Sequence, residues 1–347
     1  MLYDKILGSL LGAAIADAMG TPLESRPVYL IKQDLGDGGF VYDYKDMPAD
    51  SFAPDMKKGM VSDDFSVVFA SLEAFVKHKG ISREASIEGL LNWVHDDRYK
   101  LYSSTYMGPT TKEGIQKLEG TYVAENEYRE EMECDQKTIT NGAAMKTWVA
   151  GLLNPGNVEK AIEDALTMGV LTHNNAIALS GGCSVAAATA VAMKEDATLD
   201  EIVEAGIYGA RVGYEKAVKI AKDAAGASIA KRIPLAVKIG LRYSNDFEGC
   251  ITEMTDVIGT GLFANEAVPS AFGFMVSASG DVMETVYRSI NAGNDCDTTG
   301  VIAASMAGAF SGFSSIKDGE KHLKYLSEVN GMDIEKMAKD ITELLNQ

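Results

Sequence analysis

Several residue types that mark common classes of protein are scarce in this sequence. Its 347 residues include only four cysteines, with no CxxC pair and no spacing typical of a zinc site. Lys and Arg number 32 against 50 Asp and Glu, which leaves a net charge of −18. Nucleic acids and anionic membranes both attract clusters of basic residues. The shortage of basic residues therefore argues against nucleic acid and membrane as partners.

Sequence signals for export and for common nucleotide-binding folds are missing as well. The N-terminal region lacks the basic start and cleavage site of a signal peptide, and the apolar stretch Ile6–Ile15 is too short to span a bilayer. The chain has no Walker-type P-loop, no GxGxxG fingerprint and no evident nucleophilic Ser or Cys arrangement. We therefore expect a cytoplasmic protein with reduced thiols, whose oligomeric state the sequence leaves open.

Alternating patterns typical of β-strands are scarce, whereas apolar residues recur at helical spacing along most of the chain. Two segments rich in small residues, Ser184–Met193 and Ala303–Gly312, are expected to form central, buried helices. No fixed repeat or clear linker divides the chain, so we expect one all-α domain over residues 1–347. Helices are predicted at about 4–19, 65–79, 83–94, 111–118, 142–152, 157–167, 175–193, 198–222, 226–239, 246–258, 265–277, 280–290 and 298–312, with a charged amphipathic tail at about 317–345.

Two acidic turns stand out because each precedes a helix that is poor in charge. The first is Ser62–Asp64, and the second, Asp295–Gly300, reads Asp-Cys-Asp-Thr-Thr-Gly. Ser, Thr and Asp are common helix N-caps, but a cap needs only one side chain, whereas each of these turns contains two carboxylates. Clustered like charges are costly unless a cation or a helix N-terminus offsets them. If the fold brings the turns together, their carboxylates and hydroxyls offer the hard oxygen ligands that a pair of Mg²⁺ or Mn²⁺ ions needs.

The second turn with its flanks, Ser289–Gly300, resembles the C-terminal metal-binding motif of the ADP-ribosylglycohydrolase family. Five other segments resemble motifs of the same family: Gly8–Glu24, Ser62–Asp64, Gly108–Thr111, Asn141–Lys146 and Thr172–His173. Each motif is short, but all six follow the order found in the family and together span about residues 5–313.

The resemblance implies an all-α fold with two adjacent Mg²⁺ or Mn²⁺ ions in a cleft. It also implies hydrolysis of the bond at C1″ of a ribose, usually in ADP-ribose attached to a protein side chain. Such a reaction builds positive charge on the sugar and needs an activated water, which divalent ions and a nearby carboxylate can supply. The implied metal ligands are Ser62, Asp63, Asp64, Asp295, Asp297 and Thr298, together with Glu24.

The same resemblance assigns catalytic and substrate-binding candidates. A water-activating carboxylate could be Glu24, Asp64 or Asp297, and the sequence does not rank them. Each proposed substrate contact also has a structural explanation, because loop acids, turn dipeptides, Thr caps and core histidines are common. The implied substrate contacts are Glu24, Gly108, Thr110, Asn141, Gly142 and His173.

Three departures from the family pattern bear on the substrate. Ser62 replaces the usual Thr but keeps the hydroxyl, whereas Phe65 replaces another Thr and is expected to place an apolar group close to the metals. The loop Tyr106–Pro109 lacks the acid that arginine-specific members carry there. The expected partner is an ADP-ribosylated protein or, alternatively, a nucleoside or other small ribosyl compound. A catalytically silent member, or an acidic protein that only binds partners, would leave the clustered carboxylates unexplained.

Overall fold

The all-α prediction is confirmed over residues 1–124 and 131–347, which the computed structural model describes; these contain three isolated β-bridges but no strand. A single helical turn at Val28–Leu30 runs into a π-helical turn at Ile31–Leu35. The longer helices are α1 (Leu2–Gly20), α2 (Asp63–Lys77), α3 (Arg83–His95), α4 (Lys100–Tyr106), α5 (Pro109–Glu119), α6 (Ala144–Leu152), α7 (Val158–Gly169), α8 (Ala176–Ala192), α9 (Leu199–Ala217), α10 (Ile229–Arg242), α11 (Phe247–Glu253), α12 (Ala264–Ser277), α13 (Val282–Ile290), α14 (Cys296–Ser311), α15 (Gly319–Asn330) and α16 (Ile334–Leu345).

Three of the differences from the sequence-based prediction have a clear physical reason. Helix α9 ends at Ala217 instead of about 222, because the backbone of Lys222 leaves the helix and its carbonyl accepts the N–H of Ala176. The C-terminal tail is two helices, because Gly331 takes a left-handed conformation at φ +64° and ends α15. Helix α4 was not predicted, since its seven residues are too few to show a period.

Helices α1 and α14 pack antiparallel through the middle of the main hydrophobic core. Their backbones approach so closely that a Cβ added at Gly308 would lie 2.1 Å from the carbonyl oxygen of Gly8. Helix α8 is buried along its whole length, and α14 is buried from Cys296 to Ala309. The prediction that the two helices rich in small residues are central is confirmed, because small side chains allow this close packing.

A buried lysine fixes one end of this helix pair. Lys5 donates hydrogen bonds from Nζ to the carbonyl oxygens of Ala192, Ala309 and Phe310, at 2.8, 3.0 and 2.8 Å. These carbonyls lie at the C-terminal ends of α8 and α14, where a positive charge interacts favourably with the helix dipole. The acidic residues lie at the opposite end of the α1–α14 pair, where Gly20 packs against Asp297.

The first helix and the turn that follows it are long and apolar enough to resemble a membrane span. By length and hydropathy, Leu2–Leu23 is a candidate, but the whole apolar window is buried inside the fold. A helix enclosed by other helices has no surface left to face lipid. This segment therefore occupies the position of a core helix.

Candidate active site

The antiparallel packing of α1 and α14 brings Glu24 to the second acidic turn. A Cβ added at Gly20, the last residue of α1, would lie 2.6 Å from Cα of Asp297, so the close approach requires glycine there. The next turn, Thr21–Leu23, leads directly to Glu24. Carboxylate oxygens of Glu24, Asp295 and Asp297 lie within 4.8 Å of one another. This separation allows all three side chains to bind a common cation.

Backbone hydrogen bonds hold the Glu24 loop against the second acidic turn. The N–H of Ser25 donates to the carbonyl oxygen of Asn294 at 2.7 Å, and the N–H of Asn294 donates to the carbonyl of Arg26 at 3.1 Å. Ser25 and Asn294 both have positive φ angles, 63° and 60°. Left-handed backbone at two non-glycine residues is costly, and it is retained here where the two loops meet.

Asp17, which the sequence analysis did not assign, fixes the position of the first acidic turn. Its fully buried carboxylate accepts hydrogen bonds from the N–H groups of Ser62 and Phe65, at 2.8 and 2.9 Å, and from the Thr21 hydroxyl at 3.1 Å. It therefore caps α2 from the neighbouring helix α1. Burial raises the pKa of Asp17 to about 6, although these hydrogen bonds oppose the rise. Its sequence signal was an acid inside an otherwise apolar helix.

Within the first acidic turn, Ser62 and Asp64 have different roles. The Ser62 hydroxyl oxygen accepts the N–H of Asp64 at 3.1 Å and so acts as the N-cap of α2. Ser62 does not line the cleft described below, and its assignment as a metal ligand stays a prediction. Asp64 lines the cleft, and its buried Oδ2 has no hydrogen-bond partner in the described residues.

A cleft of about 460 Å³ opens above the acidic residues, which is within the usual range for small-molecule sites. Its walls come from the α4–α5 loop, the start of α6, the turn before α8 and the two acidic turns. Phe52 stands at the cleft with its ring edge-on to Tyr106, at a centroid separation of 5.5 Å. The predicted site residues that line the cleft are Glu24, Asp63, Asp64, Gly108, Thr110, Asn141, Gly142, His173, Asp295, Asp297 and Thr298.

The predicted substrate-binding segments surround the acidic residues. Asn141 donates from Nδ2 to Oδ2 of Asp295 at 2.6 Å, which links this turn to the acidic cluster. Gly142 lies against His173, because a Cβ there would be 2.6 Å from Nε2 of the ring. Gly108 precedes Pro109 at the start of α5, and the first residues of that helix line the cleft. Their roles as substrate contacts stay predictions.

The carboxylates of the cleft raise one another's pKa values. Burial is the largest cause, and neighbouring acids add to it: the pKa of Glu24 is raised to about 8 with a contribution from Asp295, and that of Asp63 to about 8 with one from Asp17. The pKa values of Asp64 and Asp297 also lie well above the ordinary range for the same reasons. A bound cation would offset this repulsion.

The donor set fits a hard divalent cation. All the converging side-chain donors are carboxylates, and the hydroxyl of Thr298 lines the same cleft. The unpaired Oδ2 of Asp64 is buried and would be costly to desolvate without a partner. Mg²⁺ and Mn²⁺ prefer such oxygen ligands. The identity and number of the ions stay predictions.

A lysine that the sequence analysis also missed lies behind the cleft. Lys146 is fully buried, and burial lowers its pKa to about 7 although Asp63 and Asp64 favour its charged form. Its Nζ donates to the Thr172 hydroxyl at 2.7 Å. Its only sequence signal was its place in the motif Asn141–Lys146.

Phe65 does not have the place expected from the sequence. Its side chain is buried in the core beside Phe69, with ring centroids 6.1 Å apart, and it does not line the cleft. The expectation that it places an apolar group near the metals is therefore wrong. The physical reason is that Phe65 lies on the face of α2 that packs into the core, where its ring meets Phe69 one turn further along the helix.

The pKa shifts predict a pH-dependent stability in the presence of a chelator. Carboxylates with raised pKa values hold more protons folded than unfolded, so the free energy of unfolding falls as pH rises above the unfolded pKa of about 4. The pKa of His173, which burial lowers, acts in the opposite direction, but one histidine opposes several acids. We expect Tm to fall between pH 5 and pH 7. The range ends at pH 7 because the lowered pKa of Lys146, about 7, has an opposite effect on stability above that pH.

Thermal unfolding in EDTA across this range tests the expectation. The same scan with Mg²⁺ or Mn²⁺ should show a smaller fall, because a bound cation replaces the protons. A Tm that stays level or rises from pH 5 to pH 7 in EDTA would show that the acids are not clustered in solution as the structure places them.

Comparison with known proteins supports the same family that the motifs resemble. The sequence model of the ADP-ribosylglycohydrolase family matches residues 1–347. An uncharacterized protein YegU of Escherichia coli (strain K12) is 27% identical over 351 residues, covering 100% of this chain and 99% of its own. An uncharacterized protein of Archaeoglobus fulgidus is 24% identical over 337 residues, covering 94% of this chain and 95% of its own.

A solved structure shows the same fold. A chain described as an ADP-ribosylglycohydrolase-related protein complex superposes with a TM-score of 0.66, covering 99% of this chain and 98% of its own. At 18% sequence identity this likeness bears on the fold alone.

Proposed function

Because the chain belongs to the ADP-ribosylglycohydrolase family, we propose that it is a metal-dependent hydrolase of the C1″ ribosyl bond in ADP-ribosylated substrates. The observation that carries this proposal is the convergence of Glu24, Asp295 and Asp297 at the floor of a cleft, beside the unpaired oxygen of Asp64. The family itself supports a glycosyl hydrolase, and the converging acids support metal-dependent chemistry.

The proposed metals are two Mg²⁺ or Mn²⁺ ions. When bound, such ions orient ribose hydroxyls and lower the pKa of a water molecule. The residues that would hold them are Ser62, Asp63, Asp64, Asp295, Asp297 and Thr298, together with Glu24.

Among the three candidates for the general base, Glu24 is the one we propose. Its side chain is partly exposed at the cleft, whereas Asp64 and Asp297 are buried at the starts of α2 and α14. A carboxylate that reaches the open cleft can take a proton from a water molecule held there. The remaining carboxylates would stabilise positive charge that develops on the sugar ring.

The rest of the cleft supports an oxygen-rich, anionic ligand. The start of α5 presents backbone N–H groups, which bind phosphate favourably. Lys137 is the one Lys or Arg that lines the cleft in the described ranges. These groups support binding of the diphosphate of an ADP-ribosyl ligand in this cleft.

One observation favours a second candidate substrate. Apart from the acids of the two turns and Glu24, no carboxylate lines the cleft within the residues described. A guanidinium leaving group would therefore find no separate acidic partner, which weakens an ADP-ribosylarginine assignment. The same site could hydrolyse a nucleoside or another small ribosyl compound.

Product release measured by mass spectrometry tests both candidates. The purified chain would be incubated with ADP-ribosyl-arginine, ADP-ribosyl-serine, O-acetyl-ADP-ribose and common nucleosides, with Mg²⁺, with Mn²⁺ and with EDTA. We expect metal-dependent release of ADP-ribose, and a loss of about 100-fold or more in rate for Glu24→Gln. Release of free base and ribose alone would support the second candidate.

A matched variant separates loss of chemistry from loss of folding. Glu248→Gln changes an exposed acid that pairs with Lys32 at the surface, so its rate should equal that of the wild type. Hydrolysis rates that do not depend on metal would contradict the proposed reaction. So would the absence of product from every substrate of the panel when metal is bound.

A further inference from the structure

Behind the cleft wall, three polar side chains form a hydrogen-bonded group that the proposed chemistry does not use. Lys146 Nζ lies 2.7 Å from Thr172 Oγ1 and 3.5 Å from His173 Nδ1, and Thr172 Oγ1 lies 2.8 Å from His173 Nδ1. All three residues are buried, with Lys146 and His173 at 3% and 1% exposure. Polar groups at this depth must satisfy one another.

The donors and acceptors of this group constrain the imidazole ring. An ammonium group donates only, so the Thr172 oxygen accepts from Lys146. The Thr172 hydroxyl proton then finds its acceptor in Nδ1 of His173, which also faces the ammonium. A proton on Nδ1 would point towards that positive charge and would deprive the hydroxyl of its acceptor. The arrangement therefore favours a bare Nδ1.

In a neutral imidazole with a bare Nδ1, the proton resides on Nε2. The Nε2 edge of His173 faces the cleft wall at Gly142, and Nε2 makes no hydrogen bond to another residue within the described parts of the chain. Burial and the charge of Lys146 keep the ring neutral. The ring therefore offers the cleft one donor and no acceptor.

We propose that Lys146 is a positioning residue which, through Thr172, fixes His173 as an Nε2–H donor and so makes this part of the cleft select ligand oxygens. The ligand group it fits is a hydrogen-bond acceptor without a proton to donate, such as a phosphate oxygen, an ether oxygen or a carbonyl oxygen. This inference deepens the proposed function, on which its choice of ligand rests. An amine or amide N–H at the same place would meet another donor.

Nitrogen NMR of the histidine rings tests this directly, because the chain has only four histidines. In ¹⁵N-histidine protein at pH 6, where a lysine with a pKa of about 7 is protonated, His173 should show a protonated Nε2 and an unprotonated Nδ1. The His173 signal is identified by its loss in His173→Gln. His78, His95 and His322 serve as internal references. If the His173 ring of the wild type is protonated at Nδ1, the inference is overturned, and no Lys146 variant is needed to show it.

Two substitutions at Lys146 separate positioning from simple packing. Lys146→Met keeps an unbranched apolar side chain but removes the donor, and it should give a mixture of the two tautomers. Lys146→Arg keeps a donor-only cation and should restore the wild-type pattern. An unchanged His173 pattern in folded Lys146→Met, or a failure of Lys146→Arg to restore it, would overturn the inference.

Binding of free ADP-ribose supplies a second readout. Lys146→Met should weaken it about tenfold, which corresponds to the loss of about one hydrogen bond, and Lys146→Arg should recover most of the affinity. The NMR result does not depend on hydrolysis, so the two proposals can fail separately. If no substrate in the hydrolysis panel is cleaved but His173 shows the expected tautomer, the proposed reaction is rejected and the positioning role of Lys146 is kept.

Discussion

Replacing Asp297 with Asn is expected to change thermal stability in opposite directions with and without metal. In EDTA, Tm should rise, because burial and the nearby acids Glu24 and Asp295 disfavour an ionised side chain at position 297, and Asn carries no charge. The Asn oxygen can still accept the N–H of Thr298, which Asp297 Oδ1 accepts at 3.0 Å. With Mg²⁺ or Mn²⁺, the variant should lose most of the gain seen in the wild type.

The wild-type gain can be estimated from binding linkage. One ion at 100 times its Kd stabilises the folded state by about 2.7 kcal/mol. For a chain of this length that corresponds to roughly 4 °C in Tm. Rates in the hydrolysis panel should fall together with the metal response, by about 100-fold or more. Differential scanning fluorimetry in EDTA, Mg²⁺ and Mn²⁺ measures these differences.

An exposed aspartate in the first turn of another helix provides the matched control. Asp200→Asn lies at the start of α9, far along the chain from the acidic cluster, and should keep the wild-type metal response. If Asp297→Asn responds to metal like the wild type, Asp297 is not a metal ligand. If neither the wild type nor Asp297→Asn responds, the chain does not bind these metals under the conditions used, and the proposed mechanism fails.

Replacing Gly308 with Ala is expected to destabilise the fold strongly, although it adds only one methyl group. The added Cβ would lie 2.1 Å from the carbonyl oxygen and 2.4 Å from the carbonyl carbon of Gly8. Backbone atoms cannot rotate away as a side chain can, so α1 and α14 would have to separate. We expect a loss of about 3 kcal/mol or more in the free energy of unfolding. Urea denaturation measures it.

Gly300 on the same helix gives the control. An added Cβ there would meet the Cβ of Ala16 at 3.2 Å, a contact that a shift of a few tenths of an ångström between the helices relieves. Alanine also favours the helix by about 1 kcal/mol relative to glycine. Gly300→Ala should therefore change stability by no more than about 1 kcal/mol. Equal losses in the two variants would mean that the α1–α14 approach at Gly8 and Gly308 is not the special contact that the structure shows.

Because separation of α1 from α14 would move Glu24 away from Asp297, Gly308→Ala should also weaken metal binding. The substitution lies at the end of the helix pair that carries Lys5, away from the acidic cluster. A reduced metal response in folded Gly308→Ala would show that the helix crossing, and not local contacts alone, holds the cluster together.

The sequence predicted the helices well where one face carries many apolar residues. It was less successful where a distant residue decides a boundary, as at Lys222, whose carbonyl pairs with the N–H of Ala176. The effect of Phe65 was misjudged because the face of α2 that packs into the core depends on which helices surround it, and Phe65 lies on that face beside Phe69. Local periodicity carries no information about such partners.

The sequence alone determined the helical class, the two acidic turns and the family that they resemble, because helix periods, N-caps and motifs are local in the chain. The tertiary structure decided that Glu24 meets Asp295 and Asp297, that Asp17 caps α2, and that Lys146 lies beside His173. These contacts join residues far apart in the sequence. They depend on how closely α1 and α14 pack, which is fixed by the fit of glycine against backbone across the helix pair.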